Sequence, residues 1–301
     1  MTDRYATDDA FRTSLEQRLR DQARETGRPL DRLRKEVAHH RLLTRILESA
    51  PRGAWALKGG LALLARLDDR ARATSDADAN WRSTVDELEQ TLDRSAALDL
   101  GDGFSFEIGA PRPLEGEGAE GALRFPIRVV LAGREFERIN LDVNMVPTDQ
   151  RPTDEIQLRD LLGFANIPAP IVPAIPVAQQ LAEKFHAYVR SYGNGSSRPR
   201  DLYDMLVIAE RLPVPPADAV VDVCRETFAM RETHWPPHIP EPPGSWEKAW
   251  TEFVEVYEIP WPTLAAAGKG LHRFWDPLVE VELPDAGWDP DEWAWRPMST
   301  R

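Results

Sequence analysis

Two aspartates separated by one residue, Asp76 and Asp78, are the side chains of this sequence best suited to hold a cation. In an extended strand, residues i and i+2 point to the same face, so the two carboxylates would converge. Converging carboxylates repel unless a cation or a proton lies between them, and Mg²⁺ commonly binds one or two carboxylates together with phosphate oxygens. The pair therefore indicates a Mg²⁺ site that works on a phosphate-bearing substrate. The competing interpretation is a solvated loop, where such pairs are common.

A glycine pair, Gly59-Gly60, precedes these aspartates and directly follows Lys58. Because glycine has no Cβ, its backbone amides can approach a phosphate closely, although a Gly-Gly step alone usually marks a turn. The segment between the glycines and the aspartates carries leucines at helical spacing. The order of strand, glycine turn, helix and acid-bearing strand is that of a nucleotide-handling site. The leucines are Leu61, Leu63, Leu64 and Leu67.

Further charged side chains are candidates for the same chemistry, each with a structural alternative. Lys184 could neutralise a triphosphate, but its position alone favours an exposed lysine whose stem covers apolar surface. Asp201 and Asp204 share one face of a predicted helix. The helix dipole explains Asp201 in the first turn but gives no reason for Asp204. Asp142 lies on the polar side of a predicted strand, where it is either a third carboxylate of the site or a solvated residue.

The composition limits the classes of function. The 301-residue chain has a net charge of −13, which argues against non-specific binding along nucleic acid. Its one cysteine, Cys224, excludes an internal disulfide and a cysteine-based zinc cluster, so a cytoplasmic location is expected. The polar start of the chain is unlike a secretory signal, and no apolar run approaches membrane-spanning length.

The first sixty residues differ from the rest because they are net positive. They predict either a basic patch that contacts RNA or the solvated face of two amphipathic helices. The basic residues are Arg18, Arg20, Arg24, Arg28, Arg32, Arg34, Lys35, Arg41 and Arg45.

Hydrophobic periodicity predicts an α+β protein with a mixed sheet flanked by helices and a C-terminal helical domain. Thr84 and Glu87 form a capping-box pattern at a helix start. A proline-rich connector from Pro168 to Pro176 is the predicted boundary between a first domain, 1–167, and a second, 168–301, that ends in an acidic, tryptophan-containing tail. Helices are predicted over 8–26, 29–49, 61–69, 84–98, 177–192, 201–211, 217–231, 245–257 and 263–275, and strands over 54–57, 104–108, 123–131 and 135–146, with a further strand that carries Asp76 and Asp78.

Taken together, five short segments resemble the successive motifs of the AbiEii/MenT nucleotidyltransferase toxins, members of the polymerase-β-like nucleotidyltransferase superfamily. Arg231 and the following His234-Trp235-Pro236-Pro237 are similar to a further segment of MenT-type toxins. The resemblance covers about residues 41–240. The five segments are Lys58-Gly59-Gly60, Thr74-Ser75-Asp76-Ala77-Asp78, Asn140-Leu141-Asp142-Val143, Glu183-Lys184-Phe185-His186-Ala187 and Arg200-Asp201-Leu202-Tyr203-Asp204.

The resemblance implies a Mg²⁺-dependent toxin that transfers nucleotides from a nucleoside triphosphate, often CTP, to the 3′ end of tRNA and so blocks aminoacylation and translation. It also implies a cognate antitoxin on a separate chain. The alternatives are transfer to a protein hydroxyl or a small molecule, and a non-catalytic interaction module on the same scaffold. The implied roles are catalytic for Asp76, Asp78, Lys184 and Asp201, metal-binding for Asp76, Asp78 and Asp142, and nucleotide-binding for Gly59, Gly60, Thr74, Ser75 and Lys184, with Lys58, Asp204 and Arg231 as further candidates.

Overall fold

A computed structural model describes residues 5–67, 71, 72, 74–114, 121–190, 199–257, 259–280, 283 and 285–298. The chain forms two compact units. The first consists of Met1–Asp68 and Ala73–Ile175, and the second of Asp69–Arg72 and Pro176–Arg301.

A mixed eight-stranded sheet is the core of the first unit, in the order β3-β5-β6-β2-β1-β8-β7 with β4 paired to β5. β2 lies between β6, which is parallel to it, and β1, which is antiparallel. The predicted mixed sheet is therefore confirmed. β2 is central in it but begins at Ala77, so it carries Asp78, and Asp76, which was predicted to lie in the same strand, directly precedes it. The strands are β1 Trp55–Lys58, β2 Ala77–Trp81, β3 Phe104–Ile108, β4 Arg112–Pro113, β5 Ala122–Leu131, β6 Arg134–Met145, β7 Asp154–Gln157 and β8 Ile171–Ala174.

The helices of the first unit are α1 Asp8–Thr26, α2 Leu30–Ser49, α3 Gly59–Leu67 and α4 Val85–Ala97. The predicted capping box at the start of α4 is confirmed, because Thr84 accepts from the Glu87 amide and the Glu87 side chain accepts from the Thr84 amide. α2 packs against β6 through fully buried residues such as Leu33 and Val37. Within the described part of the chain, no helix combines the length and the apolar character needed to cross a membrane.

Several arginines of the predicted basic patch are used in contacts within α1 and α2 or between these helices and the rest of the first unit. Arg41 and Arg45 both contact the buried Asp102, with Nη2–Oδ distances of 2.6 and 2.7 Å. Arg28 donates to the buried Glu36 at 3.1 Å, and Arg34 donates to the backbone carbonyl of Phe136. Hydrogen bonds between charged groups in these low-dielectric positions stabilise packing. These side chains are therefore structural, and only part of the patch faces solvent.

The proline-rich connector is partly strand. Ile171–Ala174 forms β8, which pairs in parallel with β1 and antiparallel with β7. Proline holds φ near the values of an extended strand, so Pro173 fits into β8 although it supplies no backbone N–H to either neighbouring strand. The first compact unit thus runs through Ile175, while the division into domains at 167/168 stays a prediction.

The second unit is helical and ends in a hairpin. Its helices are α5 Val177–Val189, α6 Pro199–Arg211, α7 Ala217–Met230, α8 Glu247–Tyr257 and α9 Leu264–Glu280. The strands β9 Ala286–Asp289 and β10 Ala294–Pro297 form the antiparallel hairpin, which the sequence did not predict.

Three tryptophans fix this hairpin to the helices of the second unit. The indole N–H groups of Trp288, Trp293 and Trp295 donate to the carbonyls of Ala209, Gly270 and Phe274 at 2.7, 2.9 and 2.8 Å. The rings of Trp288 and Trp295 also lie against the ring of Phe274, with centroids 4.7 and 5.3 Å away. The tryptophan-containing tail either packs against the rest of the protein or binds a partner, and these contacts support packing.

Replacing Trp288 by alanine is expected to lower the free energy of unfolding by about 3 kcal/mol, because both a large, partly buried ring and its hydrogen bond are lost. Denaturant unfolding followed by circular dichroism measures this. Met298→Ala, on a side chain that is 46% exposed, is the matched control and should change little. A Trp288→Ala protein as stable as the control would show that the hairpin does not contribute to stability.

Candidate functional site

The glycine turn at the start of α3 contacts the acid-bearing segment directly. Gly59 has a φ of +64°, which favours glycine, and a Cβ there would clash with the Asp78 carboxylate. A Cβ on Gly60 would lie 2.9 Å from Oγ1 of Thr74. The turn therefore needs glycine at both positions so that the N-terminus of α3 can lie against the aspartate segment.

Asp76 is held by its neighbours and remains partly accessible, with a side chain that is 28% exposed. The Ser75 hydroxyl donates to its Oδ2 at 3.0 Å, and the Asn140 amide donates to its Oδ1 at 2.9 Å. The Thr74 hydroxyl donates to the Asp76 carbonyl at 3.1 Å. Thr74 and Ser75, both predicted to bind nucleotide, thus position the aspartate in the structure.

Asp142 lies beside Asp78 in the sheet, because β2 and β6 run parallel with these two residues in register. Its side chain is 8% exposed and forms a bidentate ion pair with Arg124 on β5, with Nε–Oδ1 and Nη2–Oδ2 both 2.7 Å. Nη2 of Arg124 is also 3.6 Å from Oδ2 of Asp76. The hydrogen bonds that Arg124 donates to Asp142, and the charges of Asp142, Asp76 and Asp78, raise the pKa of Arg124. All three carboxylates therefore act on one cationic group.

These residues suit a divalent cation by their chemistry. Carboxylate oxygens are the ligands that Mg²⁺ prefers, and Mg²⁺ needs only one or two of them when phosphate oxygens complete its shell. A single cationic nitrogen of Arg124 already lies between Asp76 and Asp142, so this position accepts positive charge. Within the described residues, no group of three or more His, Cys, Asp or Glu side chains is arranged as a complete metal site. The residues that would hold the ion are Asp76, Asp78 and Asp142.

His39 of α2 supports the same strand from the buried side. It is 1% exposed, and burial lowers its pKa to about 4 even though Asp76 acts in the opposite direction. It hydrogen-bonds to the backbone of Asn140, the residue whose side chain holds Asp76. His39 is thus neutral at physiological pH and fixes the strand rather than supplying charge.

In the second unit, Lys184 joins two carboxylates and is not a surface residue. Its side chain is 13% exposed, and its Nζ lies 2.9 Å from Oδ1 of Asp201 and 2.7 Å from Oδ2 of Asp204. Arg72 completes the cluster through Nε and Nη2, 3.0 and 3.1 Å from the two oxygens of Asp204. Burial alone would lower the pKa of Lys184, but Asp201 and Asp204 outweigh it and the pKa is raised. Lys184 is therefore fully charged at neutral pH.

The remaining candidates have separate environments. Lys58 is the cross-strand partner of Asp78 between β1 and β2, and its side chain is buried. Arg231 follows α7, where its Nη1 is 3.0 Å from Nδ1 of His186. Because arginine only donates, His186 accepts at Nδ1 and carries its proton on Nε2, 2.9 Å from the Thr233 hydroxyl. Arg231 thus orients an imidazole on α5 in this structure.

The residues that the sequence analysis missed are Arg124, Arg72 and His39. Each contacts a predicted residue or strand on a distant part of the chain. Arg124 pairs with Asp142, Arg72 pairs with Asp204, and His39 contacts the strand that carries Asn140. A sequence signal exists only for Arg124, which lies in the strand predicted to pair with that of Asp142.

One protein family matches most of the chain. The family described as "Nucleotidyl transferase AbiEii toxin, Type IV TA system" matches residues 41–267. No curated protein matches the sequence.

Solved structures are similar to the chain as well. The MenT4 nucleotidyltransferase toxin of Mycobacterium tuberculosis H37Rv is 21% identical, with a TM-score of 0.53 over 71% of this chain and 73% of that chain. The protein JHP933 of Helicobacter pylori is 12% identical, with a TM-score of 0.39 over 65% and 75%. An antigenic nucleotidyltransferase-like protein of Paracoccidioides brasiliensis is 14% identical, with a TM-score of 0.41 over 67% and 89%. The MenT4 comparison supports the fold.

Proposed function

The chain belongs to the AbiEii family of nucleotidyltransferase toxins, and from this premise we propose that it transfers nucleotides, with CTP as the preferred donor, to the 3′ end of tRNA. The acceptor is then the terminal ribose hydroxyl of the RNA. Extension of this end prevents aminoacylation, and translation stops. Toxicity of this kind implies a cognate antitoxin, which we propose is a separate chain, and a cytoplasmic site of action.

The observation that carries this proposal is that Asp78 and Asp142 lie in register on adjacent strands beside a glycine turn, with Arg124 bonded to Asp142 and 3.6 Å from Asp76. When bound there, Mg²⁺ would polarise the phosphate and stabilise the attacking and leaving oxygens of an in-line displacement. The chain's own contribution is to hold the carboxylates in place. Asn140 and Ser75 do this for Asp76 through hydrogen bonds of 2.9 and 3.0 Å.

Binding of the phosphates is the second requirement. The backbone at Gly59 and Gly60 opens α3, and a helix N-terminus with glycines favours phosphate groups. We also assign a role in triphosphate binding to Lys184, which Asp201 and Asp204 hold in its charged form. A charged ammonium stabilises the negative charge that develops on the leaving pyrophosphate. Asp201 then has a positioning role, because it contacts Lys184.

The acceptor is tested with purified full-length protein, Mg²⁺ and each α-labelled nucleoside triphosphate in turn. Three acceptors are offered in parallel: total tRNA, tRNA whose 3′ end has been oxidised with periodate, and a protein extract freed of nucleic acid. We expect label in intact tRNA, most strongly with CTP, and none in oxidised tRNA. Label in protein alone would move the acceptor to a protein hydroxyl, and no label with any nucleotide would contradict a transferase function.

The solvent-facing arginines of α1 provide a test of RNA binding. Arg20 and Arg24 have side chains that are 52% and 71% exposed. Arg28 is unsuitable for this test because it pairs with the buried Glu36. Replacing both Arg20 and Arg24 by Glu is expected to slow tRNA modification severalfold at physiological salt and to reduce the slope of log rate against log salt by about 2.

The matched control reverses two arginines elsewhere, Arg138 and Arg296, with side chains 74% and 58% exposed. It changes the net charge equally and should leave the rate and its salt dependence close to those of the unmodified protein. Equal rates for both double variants over a salt series would show that α1 does not contact the tRNA.

A further inference from the structure

Arg124 has contacts that the transfer reaction alone does not explain. It uses two of its nitrogens on Asp142 at 2.7 Å each and approaches Asp76 to 3.6 Å. A bidentate pair of this geometry is among the stronger side-chain interactions. The guanidinium therefore covers both oxygens of one proposed metal ligand and lies beside a second.

Electrostatic repulsion among the carboxylates favours a cation at this position. Three carboxylates within reach of one another are unfavourable when ionised, and the side chain of Asp142 is only 8% exposed, so water screens it poorly. Arg124 supplies the positive charge next to Asp142 and Asp76, while Lys58 is the cross-strand partner of Asp78. A divalent cation that binds Asp142 must compete with a guanidinium that already donates to both of its oxygens at 2.7 Å.

We propose that Arg124 is a built-in counter-ion that holds the place of the divalent cation in the cation-free protein, and that Asp142 exchanges Arg124 for the metal when nucleotide arrives. This inference rests on the proposed function. The phosphates of the nucleotide give the released guanidinium a new anionic partner, so its displacement is favourable only with the substrate present. Arg124 thereby couples cation binding to nucleotide binding and keeps the free protein from taking up the metal alone.

Mn²⁺ binding to the full-length protein in the absence of nucleotide and RNA tests this proposal. The signal of free Mn²⁺ in electron paramagnetic resonance gives the dissociation constant directly. For Arg124→Gln we expect a dissociation constant at least about tenfold lower than that of the unmodified protein, because a competing positive charge has been removed. Addition of a non-hydrolysable nucleoside triphosphate should then improve Mn²⁺ binding less in Arg124→Gln than in the unmodified protein.

Arg128→Gln is the matched control. Arg128 lies on the same strand, is 40% exposed against 38% for Arg124, and forms its own ion pairs with Glu107 and Glu135 at 2.6 and 2.9 Å. Its removal should leave Mn²⁺ affinity unchanged. An Arg124→Gln protein that binds Mn²⁺ with the affinity of the Arg128→Gln control, or more weakly, would overturn the proposal and leave Arg124 as a structural cross-strand partner.

Arg124→Lys is a second variant that keeps the proposal testable if Arg124→Gln does not fold. Lysine keeps the charge but lacks the bidentate geometry, so Mn²⁺ should bind it with an affinity between those of the unmodified protein and Arg124→Gln. If thermal melting shows that Arg124→Gln is unfolded, the test is made on Arg124→Lys instead. Tighter Mn²⁺ binding by Arg124→Lys than by the Arg128→Gln control supports the exchange of Arg124 for the metal, and equal binding overturns it. Because no RNA is present, the result is independent of the acceptor, so failed tRNA modification and failed exchange are distinguishable.

Discussion

Replacing Asp76 by alanine is expected to reduce nucleotide transfer about a hundredfold or more while changing the melting temperature by only a few degrees. The large kinetic effect follows from the loss of a carboxylate that would stabilise charge in the transition state. The small effect on stability follows from the position of Asp76, whose side chain is 28% exposed and precedes the strand β2. Initial rates with labelled CTP and tRNA, measured beside thermal melts, separate the two effects.

Asp154→Ala is the matched control for this variant. Asp154 is also an ion-paired aspartate of the first unit, 2.7 Å from Nη2 of Arg66, but its side chain is 47% exposed and it lies on the edge strand β7. The Asp154→Ala protein should transfer nucleotides at the same rate as the unmodified protein. If Asp76→Ala stayed within a few-fold of this control, Asp76 would not belong to the active site.

Lys184→Met is expected to lose most nucleotide transfer and, in addition, about 3 kcal/mol of stability. Transfer falls because the ammonium that would neutralise the leaving pyrophosphate is gone. Stability falls because Asp201 and Asp204 lose a buried counter-charge, whose removal from such a pair is costly. Position in the sequence alone favoured an exposed lysine, for which the expected stability change would be close to zero.

Two further variants separate the effects of Lys184. Lys269→Met removes an exposed lysine of α9 in the same unit and should alter neither quantity. The double variant Lys184→Met with Asp201→Asn removes one negative charge from the cluster and keeps the ion pair between Arg72 and Asp204, so it should regain part of the stability without regaining transfer. A double variant that regains both would mean that Lys184 acts only through folding, and a Lys184→Met protein with near-normal transfer would remove Lys184 from the site.

Local patterns in the sequence were sufficient for the elements that carry the predicted site. The β5–β6 hairpin, the helix capped at Thr84 and the order of strand, glycine turn and helix around Gly59 all follow from periodicity and turn chemistry. These features depend on residues close together in the chain, so the sequence contains the information needed to predict them.

The partner of Asp142 could not be predicted because of a single irregularity. Counting back from the hairpin turn, where Leu131 pairs with Arg134, would place Arg124 opposite Leu141. A bulge between Val129 and Val130 shifts the register by one residue and places Arg124 opposite Asp142 instead. A one-residue shift changes which side chains share a face, so the ion pair becomes visible only in the structure.

Other features depended on burial, which sequence patterns do not reveal for charged residues. The arginines of α1 and α2 look like a solvated or RNA-binding face, yet Arg45 is fully buried against Asp102. Arg72 pairs with Asp204 across 132 positions of sequence. Long-range ion pairs of this kind have no periodicity, and local propensity gives no indication of them.

Mass spectrometry of the tRNA ends tests most directly whether this protein adds nucleotides to the 3′ end of tRNA. Total tRNA is incubated with the protein, Mg²⁺ and all four nucleoside triphosphates. The tRNA is then digested with a guanosine-specific ribonuclease, and the masses of the 3′-terminal fragments are measured. We expect these fragments to gain the mass of one or more cytidylates with the unmodified protein and to stay unchanged with Asp76→Ala. Terminal fragments of unchanged mass with the unmodified protein, or an equal gain with Asp76→Ala, would contradict the account.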